Sequence, residues 1–195
     1  MLHALCHIEY SAIISYCDTL CRFHNYENFN LNEKIEFFED IFCVISEEVT
    51  HYSLLYDKLA VIGYPYTSIP VNKNILNDLQ KTENNLLERL CMISMTHEAK
   101  GLDAGPRLIH KAKSNQFLPK EISEEINQIL DKIIMEELGH VRFGVKWYKK
   151  ICEAENLDVE NRYKQFMKDY DVHIKIDSVD IVKRQEAGFE STWIQ

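Results

Sequence analysis

The chain has 195 residues, enough for one domain with a sizeable hydrophobic core and too few for two domains of ordinary size. Its formal charge of -9 disfavours a nucleic-acid partner, because binding to a polyanion depends on lysine and arginine and no basic run offsets this charge. The sequence has no apolar run of about 18 residues and no signal-like N-terminal pattern, so we expect a cytoplasmic protein without a membrane span.

The cysteines of the chain are scattered, and none forms a Cys-x-x-Cys pair. Cys17 and Cys21 are one helical turn apart, but two residues cannot complete a thiolate metal site. We therefore expect six reduced cysteines, mostly buried as small apolar residues: Cys6, Cys17, Cys21, Cys43, Cys91 and Cys152.

Two long helices are predicted in the first third of the chain, where apolar residues recur at helical spacing. The first covers about 3–24 and the second about 32–62, and Gly63 and Pro65 end the second helix. The segment 63–73 contains two prolines and predicts an extended crossover rather than a tight turn.

Two further long helices are predicted after the crossover. A third helix begins near Asn74 and reaches about Lys100, where GLDAGP at 101–106 is expected to interrupt it because glycine and proline disfavour a continuous helix. A short helix over 107–114 follows this break, and the longest helix covers about 121–155.

The remaining residues predict a helical tail. Amphipathic patterns cover about 159–169 and, more weakly, 179–187, and no segment longer than 172–176 resembles a strand. The order of helix pair, long crossover, helix pair and tail predicts an all-α protein. It would be a ferritin-like four-helix bundle over 1–155, with additional C-terminal helices in 156–195 packed on it as part of a single domain.

Two copies of a Glu-x-x-His motif lie on the second and fourth long helices. Residues i and i+3 of a helix share a face, so Glu48 with His51, and Glu137 with His140, each direct a carboxylate and an imidazole to one point. A single motif of this kind is more often a solvated acid beside a core histidine. Two copies, together with two further inward glutamates and a repeated spacing, favour a metal site.

A second glutamate immediately precedes each motif, Glu47 in one copy and Glu136 in the other. Glu47 could also pair with His51 at i+4, so spacing alone does not choose between the two glutamates. The apolar stripe of each helix favours Glu48 and Glu137 as the inward residues.

The other two long helices offer one inward glutamate each. Glu9 is the only acid in the first half of the first helix, and Glu98 lies one turn after Met95 on the third. Positions 9 and 48 are 39 residues apart, as are positions 98 and 137, so both antiparallel hairpins would bring their ligands to one level. The repeated spacing indicates an internal duplication of a metal half-site.

The predicted ligand set is four carboxylates and two imidazoles, which suits two ions of iron, or of manganese, or a mixed pair. Two divalent cations balance four carboxylates. Without metal, burying these charges would cost several kcal/mol each or force protonation. The predicted metal ligands are Glu9, Glu48, His51, Glu98, Glu137 and His140.

Five segments of the chain resemble a bacterial ferritin-like family known as domain of unknown function 455. They read LHALCHIEYSAI, EEVTHYSLLYDKLAVIGYPY, HEAKGLDAGP, EELGHVRFGVKWY and the late RQEAGF, and the resemblance extends over most of the chain between them. The resemblance implies a di-iron ferritin-like fold with the same six ligands, and it implies no particular reaction. Family members usually have a longer N-terminal extension than the eight residues that precede Glu9 here.

Several other polar residues lie near the predicted ligands. His3 and His7 are family features that we expect to be solvated, the alternative being a role beside the metals. Tyr16 is expected to pack in the core, the alternative being a redox-active or pocket residue. Gly139 and Gly144 either leave space beside the metals or allow close helix packing. Residues near the helix break could hydrogen-bond the ligand carboxylates: Lys100, Asp103 and Arg107.

Three functions fit a dinuclear site. The favoured one is an oxidase or oxygenase, in which two ferrous ions activate O2 against an unknown small-molecule substrate, because six protein ligands leave room for O2. The second is a ferroxidase or peroxidase of the ferritin or rubrerythrin type, acting on O2 or peroxide. The third is a non-catalytic bundle that metals stabilise. A related group hydroxylates a modified tRNA base, but the charge of -9 disfavours nucleic acid. A homo-oligomer is compatible with the sequence.

Overall fold

The computed structural model describes residues 1–114 and 118–194, apart from the side chain of Thr67. Helices dominate these residues and no strand occurs among them, so the prediction of an all-α fold is confirmed and 172–176 is not a strand. No helix in the described part of the chain combines the length and the apolar character needed to cross a bilayer.

The first two helices form an antiparallel pair. Helix α1 covers Leu2–Phe23 and α2 covers Leu31–Val61, within one residue of the predicted limits. A capping box begins α2: Asn30 accepts a hydrogen bond from the backbone N–H of Glu33 at 3.1 Å, and the Glu33 carboxylate accepts one from the N–H of Asn30 at 2.8 Å.

The crossover after α2 contains a 3₁₀ turn, Tyr66–Ser68, and the short helix α3, Asn74–Lys81. The helix predicted from Asn74 to Lys100 does begin at Asn74, but the prediction that it is continuous is wrong, because the chain leaves helical geometry after Lys81 and resumes it at Leu86. A new helix begins where the side chain of Asn85 accepts a hydrogen bond from the N–H of Glu88 at 3.1 Å.

The third long rod consists of three consecutive segments: α4 (Leu86–Arg89), a π-helical stretch (Leu90–His97) and α5 (Glu98–Lys113). The break predicted at 101–106 does not occur, since the helix continues through Pro106. A Cβ atom at Gly105 would lie 3.0 Å from the side chain of Ile134, so glycine here serves close contact with the next long helix rather than a turn.

The longest helix, α6, covers Lys120–Ala154 and runs antiparallel to α2. Lys58 contacts Glu125 near one end of the pair, and at the other end the Trp147 indole N–H donates to Asp40 at 2.8 Å. An aromatic layer closes this end of the core, with ring centroids of Phe37 and Trp147 5.0 Å apart.

The C-terminal residues pack against the ends of α5 and α6. Helix α7 is Val159–Asp169 and α8 is Ile181–Glu186, close to the two predicted tail helices. The ring of Tyr163 stacks on Trp193 with centroids 5.2 Å apart, and Arg184 forms a 2.6 Å ion pair with Asp103 of α5. These contacts hold the tail against the long helices.

All six cysteines are free, as predicted, but only half of them are buried. Cys6, Cys91 and Cys152 lie in the core. The expectation of burial is wrong for the others, because they lie on the solvent side of α1 and α2: Cys17, Cys21 and Cys43.

Candidate metal centre

The structure brings the six predicted ligands together from four helical segments, α1, α2, α5 and α6. Their side chains converge in the middle of the helices, where the core would otherwise be apolar. Each is at most 8% exposed: Glu9 3%, Glu48 0%, His51 0%, Glu98 8%, Glu137 7% and His140 0%.

The ligand atoms form two overlapping groups. In each group, four residues offer one ligand atom each, and these atoms lie within 4.8 Å of one another. The first group is Glu9, Glu48, His51 and Glu137, and the second is Glu48, Glu98, Glu137 and His140. Glu48 and Glu137 belong to both groups. Two carboxylates shared between two four-residue groups are the arrangement that two bridged metal ions require.

The two oxygens of Glu48 face different histidines. Its Oε1 lies 2.9 Å from Nδ1 of His140, and its Oε2 lies 3.9 Å from Nδ1 of His51. Nδ1 of His51 is also 3.3 Å from Glu9, and Nδ1 of His140 is 3.4 Å from Glu137. Both imidazoles therefore direct the same nitrogen to the centre of the cluster.

The outer nitrogen of each imidazole binds the extra glutamate of the opposite helix. Nε2 of His51 donates to Glu136 at 2.7 Å, and Nε2 of His140 donates to Glu47 at 2.9 Å. With the proton on Nε2, the lone pair of Nδ1 points inward, the form in which a histidine can coordinate a metal.

This exchange explains why the doublet Glu-Glu occurs in both motifs. Glu47 of α2 orients His140 of α6, and Glu136 of α6 orients His51 of α2. Sequence reasoning correctly assigned Glu47 and Glu136 to the outer side but missed this contact. The duplication of the doublet was the available signal.

Five buried polar atoms at the centre make no hydrogen bond of acceptable geometry within the described residues, although some of them lie close to one another. These buried atoms are both oxygens of Glu48, one oxygen of Glu137 and Nδ1 of both histidines. Buried polar atoms are normally paired, because an unpaired one costs about 1–3 kcal/mol. Five unpaired lone-pair donors converging on one volume fit a pair of cations.

Burial and mutual repulsion change the protonation of the cluster without metal. Desolvation, followed by the charges of neighbouring glutamates, raises the pKa of Glu48 and of Glu98 well above the ordinary value. Burial lowers the pKa of His140, but contacts with Glu137, Glu47 and Glu48 outweigh burial and raise it well above the ordinary value. The metal-free cluster therefore retains protons that a metal must displace.

Tyr16 adds a hydroxyl group to the cluster. Its ring is fully buried, and its O–H donates to Oε1 of Glu98 at 2.9 Å. Burial raises the pKa of Tyr16 well above the ordinary value, so the hydroxyl keeps its proton and remains a donor. Tyr16 thus packs in the core, as expected, and also contacts a predicted ligand.

The π-helical stretch ends at His97, immediately before Glu98. Within this stretch the side-chain hydroxyl of Thr96 donates a hydrogen bond to the carbonyl of Cys91, five residues earlier, at 2.8 Å. A Cβ atom at Gly144 of α6 would lie 2.6 Å from the carbonyl oxygen of Ser94. Gly144 therefore serves close packing, the second of its two predicted roles. Irregular turns of this kind often lie at functional sites.

A cavity of about 890 Å³ reaches the cluster from the side of α1 and α5. Three of the predicted ligands, Glu9, Glu98 and Glu137, form part of its wall. Most of the remaining wall is aliphatic, from α1, α6, the crossover and the rod that contains α5. The cavity thus borders the cluster at three of its glutamates, while His51 and His140 are not part of its wall.

The comparisons with known proteins identify the family. The family described as "Protein of unknown function (DUF455)" matches residues 1–195, the whole chain. The chain belongs to this family. It is also 32% identical, over 197 aligned residues, to an uncharacterized protein of Haemophilus influenzae, a match that covers 99% of this chain and 66% of that protein. The chain thus spans just under two thirds of the relative's length. No solved structure is significantly similar to it.

The two histidines near the start of α1 are not solvated, contrary to the sequence expectation. His3 and His7 are 8% and 9% exposed, because the crossover covers them. His3 contacts the carbonyl of Tyr66, and His7 contacts the hydroxyl of Tyr66 at 2.6 Å and the carbonyl of Asn72 at 2.7 Å. They bind the crossover to α1, and neither belongs to the ligand groups.

The residues near the predicted break do not hydrogen-bond the ligand carboxylates in this family member. Asp103 pairs with Arg184, while Lys100 and Arg107 line the cavity. Gly139 has open space where a Cβ atom would stand and is exposed, so it fits neither of its predicted roles.

Proposed function

We propose that this chain is a ferritin-like, dinuclear-metal carboxylate protein, with iron as the native metal and manganese or a mixed pair as alternatives. The observation that carries the proposal is the pair of overlapping ligand groups that share Glu48 and Glu137. The four long helical segments and the single crossover support the ferritin-like assignment, because that fold takes its ligands from all four helices of a bundle.

Each protein group has a defined part in holding the metals. Glu9 and His51 would complete the coordination of one ion, and Glu98 and His140 that of the other. Glu48 and Glu137 would lie between the two ions. Two divalent cations would cancel the charge of four carboxylates, which removes the desolvation and repulsion that raise the pKa of Glu48 and Glu98.

We propose that the site activates O2 as an oxidase or oxygenase for a small organic substrate. A pair of ferrous ions supplies the electrons for O2 reduction. The protein would offer four ligands to each ion, two of them shared, which would leave room for O2. The aliphatic wall of the cavity would hold a substrate against these positions and exclude water.

A ferroxidase or peroxidase would use the same ligands, and it is the main alternative. Such an enzyme acts on iron and on O2 or peroxide and needs no room for an organic molecule. A cavity of about 890 Å³ against Glu9, Glu98 and Glu137 therefore favours the oxidase or oxygenase.

An aerobic titration of metal-free protein with ferrous iron tests the proposal. We expect saturation at two irons per chain, after which iron oxidation and O2 uptake stop. Iron uptake far beyond two per chain would favour ferritin-like mineralisation, and the absence of tight binding would refute the dinuclear site. Glu48→Ala and Glu137→Ala should each abolish binding of the metal pair, and a variant that retains two metals would contradict the ligand assignment.

A further inference from the structure

The charged residues of the cavity point to the class of molecule that it binds. Apart from the three predicted metal ligands, the lysine, arginine and carboxylate side chains in its wall are Lys100 and Arg107, both cationic. They lie seven residues apart on α5, two helical turns on one face, or about 10 Å. A pair of cations beside an apolar cavity is notable in a chain with a formal charge of -9.

Both cations are free to bind a ligand. Neither forms an ion pair with a carboxylate of the described residues, and the one hydrogen bond of Arg107 is a long contact of 3.5 Å with the carbonyl of Ser178. The nearest acids are already engaged: Asp103 pairs with Arg184 at 2.6 Å, and Asp78 pairs with His97 at 3.0 Å.

We propose that the cavity binds an elongated organic acid, with its anionic head at Lys100 and Arg107 and its apolar body directed toward Glu98 and Glu137. As a substrate assignment this rests on the proposed function. Ala104, between the two cations on α5, leaves room for the body, and Ile133 and Ile134 of α6 supply apolar contacts. The volume lies in the range of small-molecule sites, about 300–1,000 Å³.

Calorimetry with three ten-carbon probes tests this assignment on manganese-loaded protein. We expect decanoate to bind more tightly than decanol and decylamine to bind most weakly. Replacing Lys100→Gln or Arg107→Gln should each weaken decanoate about fivefold, the effect of losing one partly solvated charge contact, and leave decanol unchanged. Lys111→Gln, an exposed lysine of the same helix outside the cavity, is the matched control.

Filling the cavity with Ala104→Phe should weaken decanoate and decanol alike. Equal affinity for decanoate and decanol, or unchanged binding of decanoate in the two cation variants, would overturn the proposal, as would no binding of any probe. Measuring the metal content of each sample distinguishes a failure of the substrate assignment from a failure of the proposed function. Loss of probe binding with two metals retained refutes the substrate class alone, whereas probe binding without a metal pair refutes the proposed function alone.

An independent observation concerns the solvent side of α2. Large apolar residues stand there at seven-residue intervals and are about half exposed: Ile35 50%, Phe42 56%, Val49 45% and Tyr56 45%. A second row, half-buried, has the same interval: Phe38, Ile45 and Tyr52. Together the rows alternate steps of three and four residues, which is the pattern of a helix that packs along another helix.

The part of this face that follows Glu39 is free of charge. Between Glu39 and Asp57, every exposed residue of α2 is uncharged. On α1, Tyr10 continues the face, with its ring centroid 5.5 Å from that of Tyr52. A face of α1 and α2 about 30 Å long and about 20 Å wide offers about 600 Å² per protomer, close to the roughly 800 Å² that each partner contributes to a stable interface.

We infer that this face binds a second copy of the chain. A two-fold axis beside Ser46 pairs the two α2 helices antiparallel and places Phe42 of one protomer against Val49 of its partner, a large side chain against a small one.

Sedimentation equilibrium of the full chain tests this inference. We expect a dimer at micromolar concentration and a monomer for Val49→Glu and for Phe42→Glu. Val182→Glu is the matched control, because Val182 is 73% exposed on α8, away from this face, and this variant should remain dimeric. A monomeric wild-type chain at about 100 µM, or a folded Val49→Glu variant that stays dimeric, would overturn the inference.

Discussion

At the scale of single residues, the cluster depends on contacts between the two motifs rather than within them. Glu47 and Glu136 each hold the histidine of the other helix through its outer nitrogen. Lys132 contacts Glu136 in turn, and this cation and His51 lower the pKa of Glu136 although burial opposes the shift. The orientation of both imidazoles is thus set by carboxylates that do not reach the centre.

We predict that Glu47→Gln and Glu136→Gln each weaken manganese binding about 10-fold to 100-fold, the usual effect of removing a partner of a metal-bound histidine. Glutamine keeps the size of the side chain but removes the charge that favours a proton on Nε2. Glu39→Gln, an exposed change on the same helix as Glu47, should leave affinity unchanged. Equal affinity in all three variants would show that these carboxylates do not support the site.

At the scale of helices, the third rod and α6 approach closely beside the cluster. The π-helical stretch brings the backbone at Ser94 against Gly144, where no side chain fits. Because α6 also carries Glu137 and His140, this approach sets the distance between the ligands of the second group.

We predict opposite effects of two alanine substitutions on α6. Gly144→Ala places a Cβ atom 2.6 Å from a backbone carbonyl and should lower the free energy of unfolding by about 1–3 kcal/mol. Gly139→Ala meets open space in an exposed helix and should raise it by about 0.5–1 kcal/mol. Urea titration measures both, and equal effects would contradict the close approach at Gly144.

The sequence predicts helix limits correctly where they depend on residues that are close together in the chain. The limits of α1, α2, α6 and α7 follow from apolar periodicity and capping residues, and the repeated interval of 39 residues identifies the side chains that the structure brings together. GLDAGP was misassigned because its glycines serve contact with α6, which no local pattern reveals.

Other features depend on partners that are distant in the sequence. His3 and His7 are buried only because residues of the crossover, more than 55 positions later, cover them. The same holds for the contacts of Glu47 and Glu136 with the opposite histidines, and for that of Tyr16 with Glu98. Periodicity shows which face of a helix is inward, but it does not show which atoms will meet there.

At the scale of the whole molecule, the cluster of candidate metal ligands links folding to pH. Glu48, Glu98, His51 and His140 have raised pKa values in the folded, metal-free chain. A group with a raised pKa contributes stability that is complete below its unfolded pKa and is lost as the pH rises through its folded pKa. The pKa values of Glu47, Glu136 and Glu137 are lowered, so these groups change the folding stability only at a pH near or below the ordinary glutamate pKa of about 4.3.

We predict opposite pH trends with and without metal. Above about pH 6.5, the ordinary histidine value, the metal-free protein should become less stable as the pH rises, because the folded chain holds protons on these groups that the unfolded chain has released. The manganese-loaded protein should gain stability over the same range, because the metal displaces those protons and binds more tightly as fewer protons compete. Melting temperatures with manganese and with a chelator measure this, and parallel trends would contradict the role of the cluster.

The central claim is that two metals share one pair of carboxylates, and X-ray absorption at the iron edge tests it most directly. The sample is the chain loaded anaerobically with two ferrous ions. We predict oxygen and nitrogen ligands with about one histidine per iron, and an iron–iron distance of about 3.5–4 Å. Iron bound without an iron–iron distance in that range would contradict the account, because Glu48 and Glu137 would then not lie between two ions.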